Sequence, residues 1–181
     1  MPPMKRDSRG FTLIEMMMSI FVLGILTALA VPSFISLSNR NRLTSQANEL
    51  LGAIQYARTE AIRTNGKVTF CGSDSATADA EADCADGENA YWVVIGRSGG
   101  VEKQLRVFAV KDPLAVTTDL EKISFGADGL ARDATTKALV TGEISVCMET
   151  TNPAQNKRVL NIASGSRVVV TTPTEDGGGS C

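Results

Sequence analysis

One stretch limits what this chain can become. Phe11 to Ser38 reads FTLIEMMMSIFVLGILTALAVPSFISLS and carries a single charge, Glu15. Up to Pro32 it holds 21 residues, close to the roughly 20 that an α-helix needs to cross a hydrocarbon core of about 30 Å. It reads as a membrane segment in its own right. Ahead of it Lys5, Arg6 and Arg9 outnumber Asp7, a basic flank that predicts a cytoplasmic start with Asn39 onward translocated.

The carboxylate needs a reason. An acid inside a membrane helix costs about 2.5 to 3.5 kcal/mol at the bilayer centre and less near the interface, so such a residue usually has a partner. A cut between Gly10 and Phe11 would create an amine four residues before Glu15, in the same chain or a neighbouring one.

The run Arg9-Gly10-Phe11-Thr12-Leu13-Ile14-Glu15, followed by apolar residues and then Pro32, resembles the prepilin leader and first helix of type IV pilins and type II secretion pseudopilins. The resemblance implies a peptidase that cuts after Gly10 and methylates Phe11, and a Glu15 that helps dock each subunit into a helical filament. The competing reading is an ordinary secretory signal cut at Ala28-Leu29-Ala30 to release a soluble protein. Against it stand an apolar core of unusual length and an acid near its start.

Composition narrows the rest. The full chain holds 18 basic and 20 acidic residues; without residues 1–10 this becomes 15 against 19, a net charge of −4. A chain of that sign does not coat nucleic acid. The 171 residues after the leader fit one domain plus the membrane helix. With no histidine, the Ser-His-Asp and Cys-His arrangements, histidine metal sites and the histidine pH switch all fall away. No cofactor is expected, and no enzyme.

Four cysteines, Cys71, Cys84, Cys147 and Cys181, suggest disulfides in an exported chain, with three possible pairings. Cys71 with Cys84 and Cys147 with Cys181 is the favoured one. The first would close an acidic loop with little of its own to bury, a contribution of roughly 3 kcal/mol by chain entropy. The second would hold a tail that otherwise frays. No cysteine pair has the close spacing of a zinc knuckle. The acidic stretch from Asp74 to Glu88 lacks the ordered spacing and glycine of an EF-hand, so it reads as a solvated loop and no metal is expected.

Beyond Pro32 the helical period resumes. Leu43, Ala47, Leu50, Leu51, Ile54, Ala57, Ala61 and Ile62 recur at three- and four-residue spacing. The helix should stop at Thr64 to Asn65, with Gly66 as the left-handed cap. The pattern predicts one helix of about fifty residues, bent or loosened at Pro32. After Gly66 the segments Lys67–Cys71, Tyr91–Ile95, Gln104–Val110, Lys122–Phe125, Leu139–Cys147, Arg158–Ala163 and Arg167–Thr172 have strand character. Gly96 to Gly100, Asp128-Gly129 and Ser164-Gly165-Ser166 are turn signals. Tyr91-Trp92 reads as core, and Thr117-Thr118 and Thr171-Thr172 as strand residues without a base to make them nucleophiles.

The expected fold is α+β, in four parts. Residues 1–10 are a leader, 11–32 a transmembrane helix, 33–65 its amphipathic continuation, and 66–181 a head of antiparallel β-sheets laid on that outer half. QYARTEAIRTNGKVTFC from Gln55 to Cys71, and ISFGADG from Ile123 to Gly129, are similar to the GspH/FimT/FimU group of pilin-like proteins. In some relatives a C-terminal loop with closely spaced arginines binds DNA. Here Gly165-Ser166-Arg167-Val168-Val169 has one arginine, so Lys157, Arg158 and Arg167 make at most a weak DNA contact.

What the resemblance implies is a minor pilin of a type IV pilus. It would sit in the inner membrane with a periplasmic head, then pass into the filament or its tip among other major and minor pilins. Prepilin peptidase and membrane lipid are its earlier partners. A type II secretion pseudopilin and a DNA-uptake pilin are the alternatives.

Overall fold

The computed structural model describes residues 11–85, 89–164, 167–173 and 181. The leader, Gly10 included, and the Gly165-Ser166 tip lie outside those residues, as do 86–88 of the acidic stretch. Helix α1 spans Leu13–Thr64, 52 residues without interruption, about 78 Å at 1.5 Å per residue. Thr12 caps it: its hydroxyl accepts from the Glu15 backbone N–H at 3.3 Å, and Glu15 thereby occupies the third helical position, where an acid suits the helix dipole. At the other end the left-handed residue is Asn65, φ 48°, and not Gly66. Asparagine tolerates that conformation, and the Gly66 N–H then reaches back to the Ala61 carbonyl at 3.1 Å.

The two halves of α1 meet different surroundings. From Phe11 to Ile35 every residue is exposed, whereas Leu43, Gln46, Ala47, Leu50, Ala53, Ile54, Ala57 and Ala61 are buried. Leu51 is only half-buried and Ile62 is 51% exposed, so both leave the expected stripe. Each follows a stripe residue directly and is turned about 100° from it. Gln46 takes a place on the stripe that polarity argued against. Its Nε2 donates to the Ala109 carbonyl at 3.3 Å and its Oε1 accepts from the Lys111 N–H at 3.4 Å, so the buried amide is satisfied on both sides.

Among the described residues nine strands follow: β1 Val68–Ser73, β2 Tyr91–Ser98, β3 Val101–Ala109, β4 Leu114–Thr118, β5 Lys122–Phe125, β6 Ala131–Asp133, β7 Gly142–Met148, β8 Lys157–Ala163 and β9 Arg167–Thr171. They form two antiparallel sheets, ordered β3-β2-β1-β5-β6 and β4-β7-β8-β9. The outer half of α1 touches strands of both, and one core unites them. Phe70, Trp92, Ile123 and Phe125 from the first sheet and Val116, Ile144, Val146 and Leu160 from the second close on the helix stripe. Phe70 stacks on Trp92 with ring centroids 5.1 Å apart.

Several boundaries differ from the sequence pattern. Gly96 lies inside β2, where a Cβ would meet Leu105 of β3, and the turn is Gly99-Gly100, with φ of 63° and 85°. Strand β7 begins at Gly142 because Leu139 is 49% exposed and makes only an isolated bridge to Arg132. Strands β4 and β6 were not expected as elements.

Disulfides join Cys71 to Cys84 and Cys147 to Cys181. The first loop buries more than its composition suggested. Ala78 is packed with Cys71, Val93 and Ile95 on the face of the sheet away from α1. A carboxylate pins this loop: Glu81 pairs with Lys67 at 2.5 Å, accepts from the Thr69 hydroxyl, and its carbonyl accepts from Lys122 Nζ at 3.1 Å. Burial pushes the Glu81 carboxyl upward, but the bonds from Lys67 and Thr69 and the charges of Lys67 and Lys122 outweigh it, and the net shift is downward.

Two predictions follow from this packing. Leu50→Ala should lower head stability by about 2–5 kcal/mol, while Leu26→Ala, on the exposed half, should leave the head's unfolding midpoint unchanged; thermal melts followed by Trp92 fluorescence separate them. Because the folded pKa of Glu81 lies below its unfolded value of about 4.3, its contribution is full above that pH and lost as pH falls through the folded value. Wild type should therefore melt above Glu81→Gln at neutral pH, and the two should converge in acid.

Candidate functional site

The residues singled out for assembly lie together at the start of α1. Phe11 is 82% exposed, Thr12 forms the cap, and Glu15 stands one turn in, on a rod whose residues are all exposed up to Ile35. Ser19 and Thr27 turn their hydroxyls onto backbone carbonyls of the preceding turn, Ser19 to Glu15 at 2.8 Å and Thr27 to Leu23 at 3.0 Å. The polar groups of this half are thus tied into the helix itself, as lipid requires. Glu15 is the exception, since its carboxylate accepts nothing from the described residues. The helix is long and apolar enough to cross a membrane.

Pro32 sits where the apolar run ends, and α1 continues through it. Its ring leaves one backbone carbonyl of the previous turn without its usual donor. The head reaches the helix at this point. Asn152 Nδ2 donates to the Pro32 carbonyl at 3.2 Å, and Asn39 Nδ2 donates to the Asn152 carbonyl at 2.8 Å. Nothing in the local sequence of residue 152 signalled that contact.

The three cations considered for DNA do not gather. Lys157 and Arg158 are neighbours on β8 and so point to opposite faces. Arg167 pairs with Ala163 at the far end of that strand, about 20 Å from Lys157 at strand spacing. Arg158 turns toward α1, where its Nη1 donates to the Gln155 and Lys157 carbonyls at 3.3 and 2.8 Å. Within the acidic stretch two carboxylates are engaged by the protein: Glu81 by Lys67, and Asp83 by the backbone N–H groups of Asp79 and Ala80, each at 3.0 Å. Among the described residues no three acids, cysteines or histidines converge as a metal site would require.

The arrangement is an apolar rod with one acid at its tip, continuous with a small folded head. Two crystal structures of the type IV minor pilin FimU from Pseudomonas aeruginosa share this fold. They are 20% and 21% identical in sequence, with TM-scores of 0.50 and 0.52, and cover 73% and 76% of this chain and 98% and 97% of their own. The type IV major fimbrial protein FimA of Dichelobacter nodosus is 31% identical over 99 residues, 53% of this chain. The chain spans 62% of the length of that relative. Residues 5–31 match the prokaryotic N-terminal methylation motif. Residues 46–173, from the buried stripe of α1 through the last strand, match the family model described as type II transport protein GspH, and the chain belongs to that family.

Proposed function

We propose that this chain is a minor pilin of a type IV pilus, built into the filament or its tip complex, and that its work is assembly and not catalysis. The observation that carries this is the division of α1: one unbroken helix whose first half is wholly exposed and apolar apart from Glu15, and whose second half forms the head's core. Such a rod is stable only in lipid or among like rods.

In this reading a peptidase cuts after Gly10 and the new terminus at Phe11 is methylated. The processed chain waits in the inner membrane with its head in the periplasm. On assembly the rod leaves lipid for a bundle of pilin helices, and Glu15 gains an amine there. The amine would come from its own chain or a neighbour, since Phe11 stands four residues before Glu15, just ahead of the Thr12 cap. An unpaired carboxylate in a helix bundle is penalised, so the pair selects the axial register.

A second reading is favoured by one finding. The family model carries the description of a type II transport protein, and a secretion pseudopilin would use the same rod, acid and leader. Deleting the gene and scoring twitching motility beside export of secreted enzymes separates the two: loss of twitching alone supports the pilus, and loss of export alone supports the secretion apparatus.

Glu15→Ala should still insert in the membrane yet enter filaments several-fold less than wild type at equal expression, measured by immunoblotting sheared pili against cell membranes. Equal incorporation would remove the role assigned to Glu15. Substitution of Gly10 by a bulky residue should leave residues 1–10 attached, which the intact mass of the purified chain reads directly.

A further inference from the structure

The base of the head forms an open groove of about 530 Å³ against the helix, lined by Pro32, Ser33, Ser36, Leu37, Arg40 and Asn152. The five helix residues fall on one face by their spacing. At its upper end stands the Arg40 guanidinium, and Arg158 lies on the face of β8 that is turned to α1, the face of Leu160 and Ile162. Arg158 is half-buried, and burial first, then the charge of Arg40, push its pKa below the usual arginine value. The Arg40 charge therefore reaches Arg158. Among the described residues neither forms an ion pair with a carboxylate. Below them the Ser33 and Ser36 hydroxyls have no hydrogen-bond partner among the described residues.

Depth decides what this groove faces. Pro32 closes the apolar run, and the polar layer of a bilayer adds about 5–7 Å on each side of the hydrocarbon. Ser33 and Ser36 fall in that layer. The Arg40 backbone lies about 12 Å beyond Pro32, but helix side chains lean toward the N-terminus. Arg40 thus leans back over Ser36 and Ser33 toward the membrane surface. A planar guanidinium above two hydroxyls suits a tetrahedral oxyanion, and arginine binds phosphate in bidentate fashion.

We propose that this groove receives the phosphate of an anionic phospholipid from the leaflet beneath the head, with Arg40 as the direct cation, Ser33 and Ser36 as donors and Arg158 as the charge behind it. The inference rests on the membrane-spanning role given above to residues 11–32. Asn152 holds the head loop to the Pro32 carbonyl, so the lipid would fix both the depth of the helix and the tilt of the head before assembly. The contact would be given up when the rod leaves the bilayer.

The test uses the processed full chain reconstituted in phosphatidylcholine vesicles containing phosphatidylglycerol. Spin-labelled phosphatidylglycerol or phosphatidylcholine reports the lipid immobilised on the protein. Wild type should prefer phosphatidylglycerol several-fold. Arg40→Gln, at an exposed site that leaves the fold intact, should reduce that preference by about fivefold, the equivalent of about 1 kcal/mol per cation at a membrane surface, and Arg40→Lys should keep most of it. A chain that spans the vesicles without any preference, or a preference indifferent to Arg40→Gln, overturns the lipid site and leaves the pilin reading standing. Loss of preference on adding soluble glycerophosphate would assign the groove to free phosphate and also overturn it. So would an Arg40→Gln chain that keeps its lipid preference but no longer co-purifies with other pilins, since the cations would then face a protein acid. Failure of the chain to span the vesicles at all would instead remove the pilin reading and this site together.

Discussion

Everything in this molecule depends on one hydrogen-bonded rod whose two halves meet different surroundings. A backbone crossing lipid must satisfy its own N–H and C=O groups, and a helix does so without help from any neighbour. The same repeating geometry, carried past Pro32 without a break, then presents an apolar stripe instead of an apolar cylinder. The change of environment is written only in the side chains. From Phe11 to Ile35 every residue is exposed, and from Leu43 to Ala61 one face is buried. The head cannot move relative to the rod without opening its own core.

That rigidity has a local cause. Ala47, Ala53, Ala57 and Ala61 are fully buried on the stripe, and their small side chains let both sheets approach the helix closely. Leu43, Leu50 and Ile54 fill the space between. Further ties run from the head back to the rod: Arg106 of β3 lies 4.5 Å over the Tyr56 ring, and Lys111, between β3 and β4, pairs with Glu49 at 2.7 Å. At Gly129, φ 70°, a Cβ would stand 2.8 Å from Ile62 and 3.2 Å from Arg58. The hairpin between β5 and β6 therefore packs on the helix end only because that position has no side chain.

Sequence periodicity was enough for the helix, its end near Thr64 and most strands, because long repeated patterns average over local exceptions. It did not reveal β4 or β6. The first is five residues beside a proline and the second only three, too short for alternation to register. YWVVI in β2 shows no alternation either, and the structure gives the reason. Trp92 and Val94 face the helix, while Val93 and Ile95 lie under the disulfide loop with Ala78. A loop that covers a sheet is a tertiary event, invisible to local pattern. Gln46 was missed for the same reason: its partners, Ala109 and Lys111, are more than sixty residues away. At the candidate site Glu15 was legible as the one charge in an apolar run, whereas its Thr12 cap emerges only from the structure. The Asn152 contact and the reach of the Arg40 charge to Arg158 were not legible, since each joins residues over a hundred positions apart.

The magnitudes at Glu15 explain why a partner chain is part of the reading. A helix-dipole interaction contributes about 0.3–1 kcal/mol, and an N-terminal cap typically about 1 kcal/mol. Carrying a carboxylate to the middle of a bilayer costs about 2.5–3.5 kcal/mol. Cap and dipole together fall short of that cost, so the acid is tolerated in the membrane only near the interface, at the end of the rod where it stands. Within a helix bundle no such interface is at hand. In the proposed reading an amine supplies the remainder, and the terminus that a cut after Gly10 would create at Phe11 is the group the chain itself could provide, four residues before Glu15. A shift of the rod by one turn along its neighbours would separate that pair and restore the cost. The same acid that the lipid barely tolerates would thereby favour one axial position over those adjacent to it.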